Sequence, residues 1–445
     1  MRYPTVIRFL VSNALSLLGN SISAVVLPLV LLARTGDVLA AGTLAIVCAV
    51  PQVAAGVLGG AALDRLNRRS VSAVSDCISA LSVALLPIVD ATVGLSFGWF
   101  VALGVLGAVG DIPGMTARDT LLPAVAAHDG ADLQRFVGIA QALDALVVIV
   151  GPAAGALCIG LIGDVQALWI TTATSLAAAL VTITLPRAVG VAGKANESAD
   201  EDVSEAEHAD AGAEGSAHKI AREDAAENEA DSAPHAPQAH RPHGILRAAV
   251  TSLREGLGIL FASDRVLRAS LLLELLITMA MAGVQGLVLP AHFTDLGQPE
   301  RLGLTVSALA AGQLAGTLGY SALAPRLTKR TWYVTSLVGM ATAMLVLCQL
   351  PPYPLLLAGA ALLGLSAGPL SALLGFFVFD RIPDARRGAA LGTQNSLLLV
   401  MAPFGVFATS VIVQLLGIAH ACWAILALWI AITAVALAAR SMRSL

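Results

Sequence analysis

The amino-acid sequence predicts an all-α integral membrane protein of twelve transmembrane helices, arranged as two six-helix parallel repeats. The composition, the length of the apolar blocks and the placement of the basic residues lead to this fold class. The 445 residues are 57% hydrophobic and only 13% charged, whereas a soluble domain has about 25% charged residues. A chain with so little polar surface is suited to lipid rather than to water.

The apolar residues are grouped in twelve blocks of about 20 residues, which is the length that crosses a hydrocarbon layer of about 30 Å. Lipid offers no partners for free backbone groups, so these blocks are predicted to be helices. A cleavable signal peptide is the alternative for the first block, but this block is longer than a signal h-region and contains Asn13 and Asn20. The predicted helices span 7–32, 39–62, 71–90, 95–117, 137–161, 166–186, 266–291, 302–323, 332–350, 354–379, 388–415 and 420–439.

Basic residues are unevenly divided between the two sides of the predicted bundle. With the N-terminus inside, the outer loops hold only Arg34 and Arg301 of the 26 Lys and Arg residues. This asymmetry follows the positive-inside rule and predicts that both termini are cytoplasmic. We expect a multi-pass monomer in the lipid bilayer of the cell membrane.

Residues 188–244 interrupt the apolar pattern with a segment rich in Ala, Glu, Asp, Ser and His. It holds 13 of the 30 acidic residues and five of the eight histidines, and it is predicted to be a disordered cytoplasmic linker. Metal binding is the alternative, but neither its histidines nor the five cysteines of the chain show metal-ligand spacing. The linker separates an N-terminal bundle, 1–187, from 245–445, where an amphipathic helix over 245–263 is expected on the inner membrane surface before the second bundle.

The two halves resemble each other in sequence. Pro28 and Pro290 each stand in Val-Leu-Pro, and Pro123 and Pro383 follow the fourth helix of each half at nearly the same spacing. A basic loop follows the second helix of each half as well. Parallel repeats of this kind are typical of transporters whose substrate site lies between the halves.

The loop after predicted helix two holds the most specific motif, Gly-Ala-Ala-Leu-Asp-Arg-Leu-Asn-Arg-Arg. A small residue permits close helix contact, and an acid with clustered guanidinium groups forms bidentate ion pairs. The motif resembles the Gly-x-x-x-Asp-Arg-x-Gly-Arg-Arg signature of the major facilitator superfamily, with Asn67 in place of Gly. The resemblance implies the major facilitator fold and a cytoplasmic gate that latches the halves in the outward-facing state, while the arginines also fix the topology. The expected gate residues are Gly60, Asp64, Arg65, Arg68, Arg69 and their partner Asp119.

A second motif lies in predicted helix five and consists of Gly138, Gly151, Pro152 and Gly155. It is similar to motif C of the superfamily, which is associated with antiporters that export. Ordinary close packing of membrane helices through small residues is the alternative. Shorter segments are similar to the branch of siderophore, macrolide and multidrug efflux permeases, which usually has Asp where this chain has Asn20. The resemblance favours export.

Polar residues recur on one face of predicted helix one and on one face of predicted helix seven. Because a polar side chain in hydrocarbon is costly, such rows indicate either a cavity or hydrogen bonds between helices. In the resembled fold both helices line the central cavity, which favours the first interpretation. The predicted substrate-cavity residues are Asn13, Ser16, Asn20, Thr278, Met281 and Gln285.

Carboxylates inside the predicted helices are candidates for proton coupling. A carboxyl group in a low-dielectric environment binds a proton more readily, so it can take a proton from one side and release it to the other. Glu274 is the first candidate, because no Lys or Arg is predicted within the membrane to keep it ionised. Asp144 and Asp111 follow. A structural hydrogen bond is the alternative for each, and it is the favoured role of Asp76.

The sequence predicts a transporter rather than an enzyme. It contains neither a His-Glu-x-x-His metal motif nor a Walker sequence. Few aromatic residues, 4%, and no basic residue in mid-membrane suit an amphipathic neutral or cationic compound. We predict proton-coupled export of an amphipathic small molecule or drug by alternating access, without cofactor, metal or nucleic acid. Import or facilitated passage of a metabolite is the alternative.

Overall fold

The computed structural model describes residues 3–63, 66–191, 254, 256–263, 265–323, 326–381 and 384–438. Within these residues, eleven helices are long and apolar enough to cross a membrane, and a shorter apolar helix, Leu168–Ile183, takes the sixth place. The all-α membrane architecture is thereby confirmed. The helices are α1 Pro4–Thr35, α2 Val38–Leu63, α3 Arg68–Thr92, α4 Phe97–Asp129, α5 Leu133–Ile162, α6 Leu168–Ile183, α7 Arg265–Asp295, α8 Glu300–Leu323, α9 Lys329–Cys348, α10 Tyr353–Arg381, α11 Asp384–Leu416 and α12 Ile418–Ala438.

Local sequence signals explain several helix ends. Asp132 caps α5 by accepting a hydrogen bond from the backbone N–H of Arg135 at 2.6 Å, and α4 ends at Gly130, whose φ of 64° is left-handed. Most predicted ends agree with the structure to within a few residues. The exception is α4, which runs to Asp129 rather than 117, because Pro123 lies inside the helix without ending it. Arg118 therefore belongs to the helix and not to a loop.

Helix α7 is continuous but contains a π-helical segment, Val284–Val288, immediately before Pro290. Segments of this kind mark places where the regular hydrogen-bond ladder of a helix is locally displaced. Gln285 and Gly286, two successive residues of this segment, line different cavities.

The two ends of the bundle are named by the chain termini. The terminal end contains the start of α1 and the end of α12, and the distal end contains the end of α1 and the start of α12. The first half consists of α1–α6 and the second half of α7–α12. Helix α2 packs along α11 and α5 packs along α8, so these four helices form the main contact between the halves.

Buried apolar residues differ between the two ends. One cluster joins both halves and includes Ile22 to Leu31 of α1 and Leu287 to Phe293 of α7, which lie towards the distal end. In the second half this cluster also reaches the terminal end, at Val266, Tyr333 and Ala436, and two further clusters of described residues lie at that end. One, around Phe9 and Phe136, belongs to the first half, and the other, around Leu267, belongs to the second. The halves therefore share a core distally and part towards the terminal end.

Most of the predicted linker and the first part of the predicted amphipathic helix lie outside the described residues. The described part of the predicted amphipathic helix includes a π-helical turn, Ile259–Ser263. Leu260 is fully buried there, in a cluster with Leu267 and Leu271 of α7. This turn is thus joined to the second half through its apolar side chain.

Candidate functional site

Two separate cavities lie within the bundle. The first cavity, of about 520 Å³, is bordered mainly by α1, α2, α3 and α4, with Gly286 of α7 and Leu399 and Val406 of α11 on its far side. Its wall is largely apolar, and its polar members are Asn20, Ser23, Gln52, Ser79, Ser82, Asp111 and Thr171.

The second cavity, of about 440 Å³, lies within the second half, among α7, α8, α9, α10 and α11. Glu274 is its one charged wall residue. The wall also includes apolar residues such as Met281, Met340 and Leu370, and the remaining polar wall residues are Thr278, Gln285, Gln313 and Ser371. An apolar chamber with a single carboxylate has the chemistry to bind an amphipathic cation.

The polar row of α7 lies in the second cavity, since Glu274, Thr278, Met281 and Gln285 all line it. The row of α1 divides. Asn20 and Ser23 line the first cavity, whereas Asn13 and Ser16 are buried and donate hydrogen bonds to carboxylates of neighbouring helices. Both interpretations of a polar row, cavity lining and helix-to-helix bonding, are therefore realised along one helix.

Glu274 is half-buried and bonded to an amide. The Nε2 of Gln394 in α11 donates a hydrogen bond of 2.5 Å to Glu274 Oε2. No Lys, Arg or His within the described residues forms an ion pair with Glu274. Gln394 was missed at the sequence level, although an amide inside the eleventh apolar block was a visible signal. Its neutral donor holds the carboxylate in place without neutralising its charge.

A buried ion pair joins α3 and α4 in the first half. The Nη2 of Arg118 contacts Asp76 Oδ1, which also accepts a hydrogen bond of 2.9 Å from Ser16. Asp76 is 4% exposed and Arg118 is 6% exposed. Arg118 was placed beyond helix four at the sequence level, because that helix was predicted to end at 117, whereas in the structure it belongs to α4 and is buried. The absence of Gly between 115 and 129 was the signal that the helix continues.

The other two candidate acids differ in surroundings. Asp111 lies on the wall of the first cavity together with Ser79 of α3, with Asp76 and Arg118 close enough to act on it electrostatically. Asp144 accepts a hydrogen bond of 2.7 Å from Asn13 Nδ2 and lines neither of these two cavities. Of the three candidate acids, Glu274 and Asp111 therefore line one of these two cavities, and Asp144 lines neither.

The described arginines of the predicted gate bind within their own half. Arg68 donates to the carbonyl of Thr120 at 3.2 Å, and Arg69 donates to the carbonyls of Thr182 and Ile183 at the end of α6. Asp119 is exposed and forms no salt bridge with any described residue. Gly60 lies near the end of α2, while Asp64 and Arg65 lie outside the described residues. In this state Arg68 and Arg69 fasten α3 to α4 and α6.

Asn67 replaces the glycine of the signature and has its own partners. Its Oδ1 accepts a hydrogen bond of 3.4 Å from the N–H of Ser70, which caps α3, and its Nδ2 donates to the carbonyl of Arg187 at 3.1 Å. A Cβ at Gly190 would overlap the Asn67 amide. Asn67 therefore ties the start of α3 to the segment after α6.

The small residues of the helix-five motif make close contacts between helices. Gly151 faces Ser21 of α1, and Gly155 lies against the backbone of Ile22. The carbonyl of Pro152 faces Gly303 of α8 in the other half, whereas a Cβ at Gly138 would meet open space. Three of the four residues thus lie at helix contacts, and Pro152 lies at the contact between the halves near the distal end.

Within the described ranges, no group of three or more His, Cys, Asp or Glu side chains is arranged to hold a metal ion. The histidines of the linker lie outside those ranges. The described chemistry of the bundle is therefore that of two cavities, each with one carboxylate, and a buried ion pair beside the first.

Comparisons with known proteins agree with this architecture. The family model described as Major Facilitator Superfamily matches residues 9–284 and, in a second match, 270–443. Multidrug efflux pump Tap of Mycobacterium tuberculosis (strain ATCC 25618 / H37Rv) is 31% identical over 418 residues, which are 93% of this chain and 88% of the pump. Multidrug efflux pump Tap of Mycolicibacterium fortuitum is 29% identical over 413 residues, which are 92% of this chain and 89% of the pump.

Solved structures share the fold at low sequence identity. The nucleoside transporter NupG matches with a TM-score of 0.72 and 13% identity, and the match covers 98% of each chain. A bacterial homologue of the lysosomal transporter Spinster, in an inward-facing and unoccupied conformation, matches with a TM-score of 0.68 and 12% identity over 100% of this chain and 98% of that one.

Proposed function

The chain belongs to the major facilitator superfamily of membrane transporters, and from this premise we propose that it exports amphipathic small molecules, organic cations among them, in exchange for protons. The terminal end is assigned to the cytoplasm on the placement of the basic residues. The mycobacterial relatives named as multidrug efflux pumps support export, and the similarity extends over nearly the whole chain.

The observation that carries the proposal is the single carboxylate of the second cavity. Glu274 lies among Met281, Met340 and Leu370 and, within the described residues, has no cationic side chain as a partner. A buried charge requires compensation, so an organic cation whose apolar part contacts methionine and leucine side chains fits both features. Methionine adapts to ligands of different shape, which suits a transporter of several compounds.

The same carboxylate offers a route to proton coupling. Glu274 neutralises either a bound cation or a bound proton, so the arrival of one favours the release of the other. Asp144, bonded to Asn13, and Asp111, on the first cavity, are the second and third coupling candidates. The exchange requires that the site open alternately to the two sides. The core that the halves share towards the distal end, with a separate first-half cluster at the terminal end, supports one such state.

The gate residues are expected to act in the opposite state, in which the halves meet at the terminal end. Arg68 and Arg69 now bind backbone carbonyls of their own half, which are neutral and readily exchanged partners. When the halves meet at the terminal end, we expect the loop of Asp64 and Arg65 to engage the second half, with Asp119 as an acidic partner. Gly60 would allow the close approach that this requires.

Efflux of a fluorescent organic cation tests the function. Cells that express the protein should accumulate less ethidium than control cells, and collapse of the proton gradient should abolish the difference. Higher accumulation in the expressing cells would support the importer alternative. No difference for ethidium or for any other compound in a panel of drugs and dyes would refute multidrug export.

A further inference from the structure

Asp111 stands alone as a charge on the wall of the first cavity. The wall residues from the helices around it are neutral, among them Asn20 of α1, Gln52 of α2 and Gly286 of α7. Ser79 of α3 lies on the same wall, and the two described charged groups that act on Asp111 are Asp76 and Arg118. Because Arg118 already pairs with Asp76, the described residues offer Asp111 no cation that belongs to it alone.

Arg118 is positioned to respond to Asp111. Both residues belong to α4, two turns or about 10 Å apart along one face, and helical side chains tilt towards the N-terminus of their helix, which directs Arg118 towards Asp111. Within the described residues, Arg118 Nε and Asp76 Oδ2 have no hydrogen-bond partner, although both atoms are buried. The ion pair therefore keeps one spare donor and one spare acceptor beside a titratable carboxyl group.

Close contact between α3 and α4 makes this arrangement rigid. Gly114 of α4 faces Ser75, Gly110 faces Ile78 and Gly107 faces Ser82. The serine and isoleucine positions flank Asp76 and Ser79 on α3. A side chain larger than hydrogen at these glycines would separate the helices and move Arg118 away from Asp76.

Glu274 alone does not explain proton coupling for every amphipathic compound. A cation displaces the proton of Glu274 because the two compete for one negative charge. A neutral compound brings no charge, so it cannot displace the proton in this way. A titratable group outside the substrate's charge site can couple protons to the export of neutral compounds, and Asp111 lies in a different cavity.

Resting on the proposed export function, we propose that Asp111 is a second proton site, which couples export of neutral amphipathic compounds, while Glu274 couples organic cations. Arg118 is its positioning residue: it compensates the Asp111 carboxylate after the proton has left. The proton is carried as O–H on Asp111 and is released to water in the cavity, with no covalent step.

Two dyes in proteoliposomes separate the two sites. The probes are ethidium, a permanent cation, and Nile red, a neutral amphipathic dye, each followed with and without an imposed pH gradient. Asp111→Asn should lower proton-driven Nile red export at least tenfold while ethidium binding in detergent stays within twofold. Glu274→Gln should lower ethidium affinity at least tenfold and leave proton-driven Nile red export in place. Asp295→Asn, an exposed acid at the distal end of α7, is the matched control and should change neither.

The role of Arg118 has its own readout. In Asp76→Asn/Arg118→Gln the pair is removed without leaving an unpaired charge, and the pH midpoint of Nile red export should move by at least one unit. Arg118→Lys keeps the charge and should keep most of the wild-type profile. An unchanged midpoint in the folded double variant would show that the pair is only structural.

Other results overturn the inference while leaving export intact. These are proton-driven ethidium export without proton-driven Nile red export in the wild type, unimpaired Nile red export in Asp111→Asn, or equal loss of Nile red export in Glu274→Gln. Failure of the wild type to export either dye, or any other compound of the drug and dye panel, would instead refute the proposed function.

Discussion

Replacement of Arg118 by Gln is expected to destabilise the first half more than any loss of a surface charge. Asp76 would remain buried at 4% exposure. Among the described residues, only the Ser16 hydroxyl, 2.9 Å from Asp76 Oδ1, would still donate a hydrogen bond to this carboxylate. Removal of one partner of a buried pair costs about 3–5 kcal/mol, because the other charge stays uncompensated. At about 2–4 °C per kcal/mol for a unit of this size, the melting temperature should fall by about 10 °C.

The chain provides a matched control in a second Arg–Asp pair of the same half. Arg34 Nη2 lies 2.9 Å from Asp90 Oδ2 near the distal surface, with side chains 37% and 22% exposed. Because water already solvates these groups, the pair should contribute no more than about 1 kcal/mol. Arg34→Gln should therefore leave the melting temperature within about 4 °C of the wild type.

The assay is the fraction of detergent-solubilised protein that stays monodisperse after heating, measured for both single variants and for Asp76→Asn/Arg118→Gln. The double variant buries two amides instead of an unpaired charge, so it should regain most of the lost stability. Equal melting temperatures for Arg118→Gln and Arg34→Gln, or a double variant no better than the single one, would refute the reasoning.

Three further changes test other parts of the structure. Asn67→Ala removes the cap of α3 and the bond to the carbonyl of Arg187, and a loss of about 1 kcal/mol should lower the melting temperature by a few degrees; an unchanged melt would contradict the capping role. Gly303→Val places a side chain against the Pro152 carbonyl and Ala156 and should separate the halves at the distal end. An impermeant maleimide should then label a reporter cysteine, Leu31→Cys, at least fivefold faster than in the same reporter with Gly303. Equal labelling would argue against the contact between Gly303 and Pro152. Gln394→Leu removes the amide that donates a hydrogen bond to Glu274, and such a bond to a charged group is worth about 1.5–3 kcal/mol. Ethidium affinity at neutral pH should therefore fall by roughly tenfold and recover at alkaline pH. A fluorescence titration that shows no pH-dependent loss of affinity would count against a coupling role for this carboxylate.

The sequence predicted the twelve helices well because lipid leaves little choice. A block of apolar residues must satisfy its backbone hydrogen bonds internally, so both its existence and its approximate ends are readable without a structure. The one large error is at the end of α4, where the helix continues past the apolar block, through Pro123, to Asp129. The length of an apolar block does not show how far a helix extends beyond it.

The candidate site was only partly predictable. The row of α7 lies in one cavity as a periodic pattern indicates, but the row of α1 divides between Asn13 and Ser16, bonded to acids, and Asn20, on the first cavity. Helical periodicity gives the face on which a residue lies and leaves open what that face meets. The proton-coupling and gate assignments remain predictions.

By itself, the sequence determined the membrane class, the two-half organisation and the family signature, because each depends on local composition or on residues close together in the chain. Only the tertiary structure decided that Arg118 meets Asp76, that Gln394 holds Glu274 and that two carboxylates line two cavities. Those pairings join helices far apart in sequence. The rotation and depth of each helix are set by packing over the whole bundle. Contacts such as those of Gly114 with Ser75 and of Gly303 with Pro152 are part of that packing.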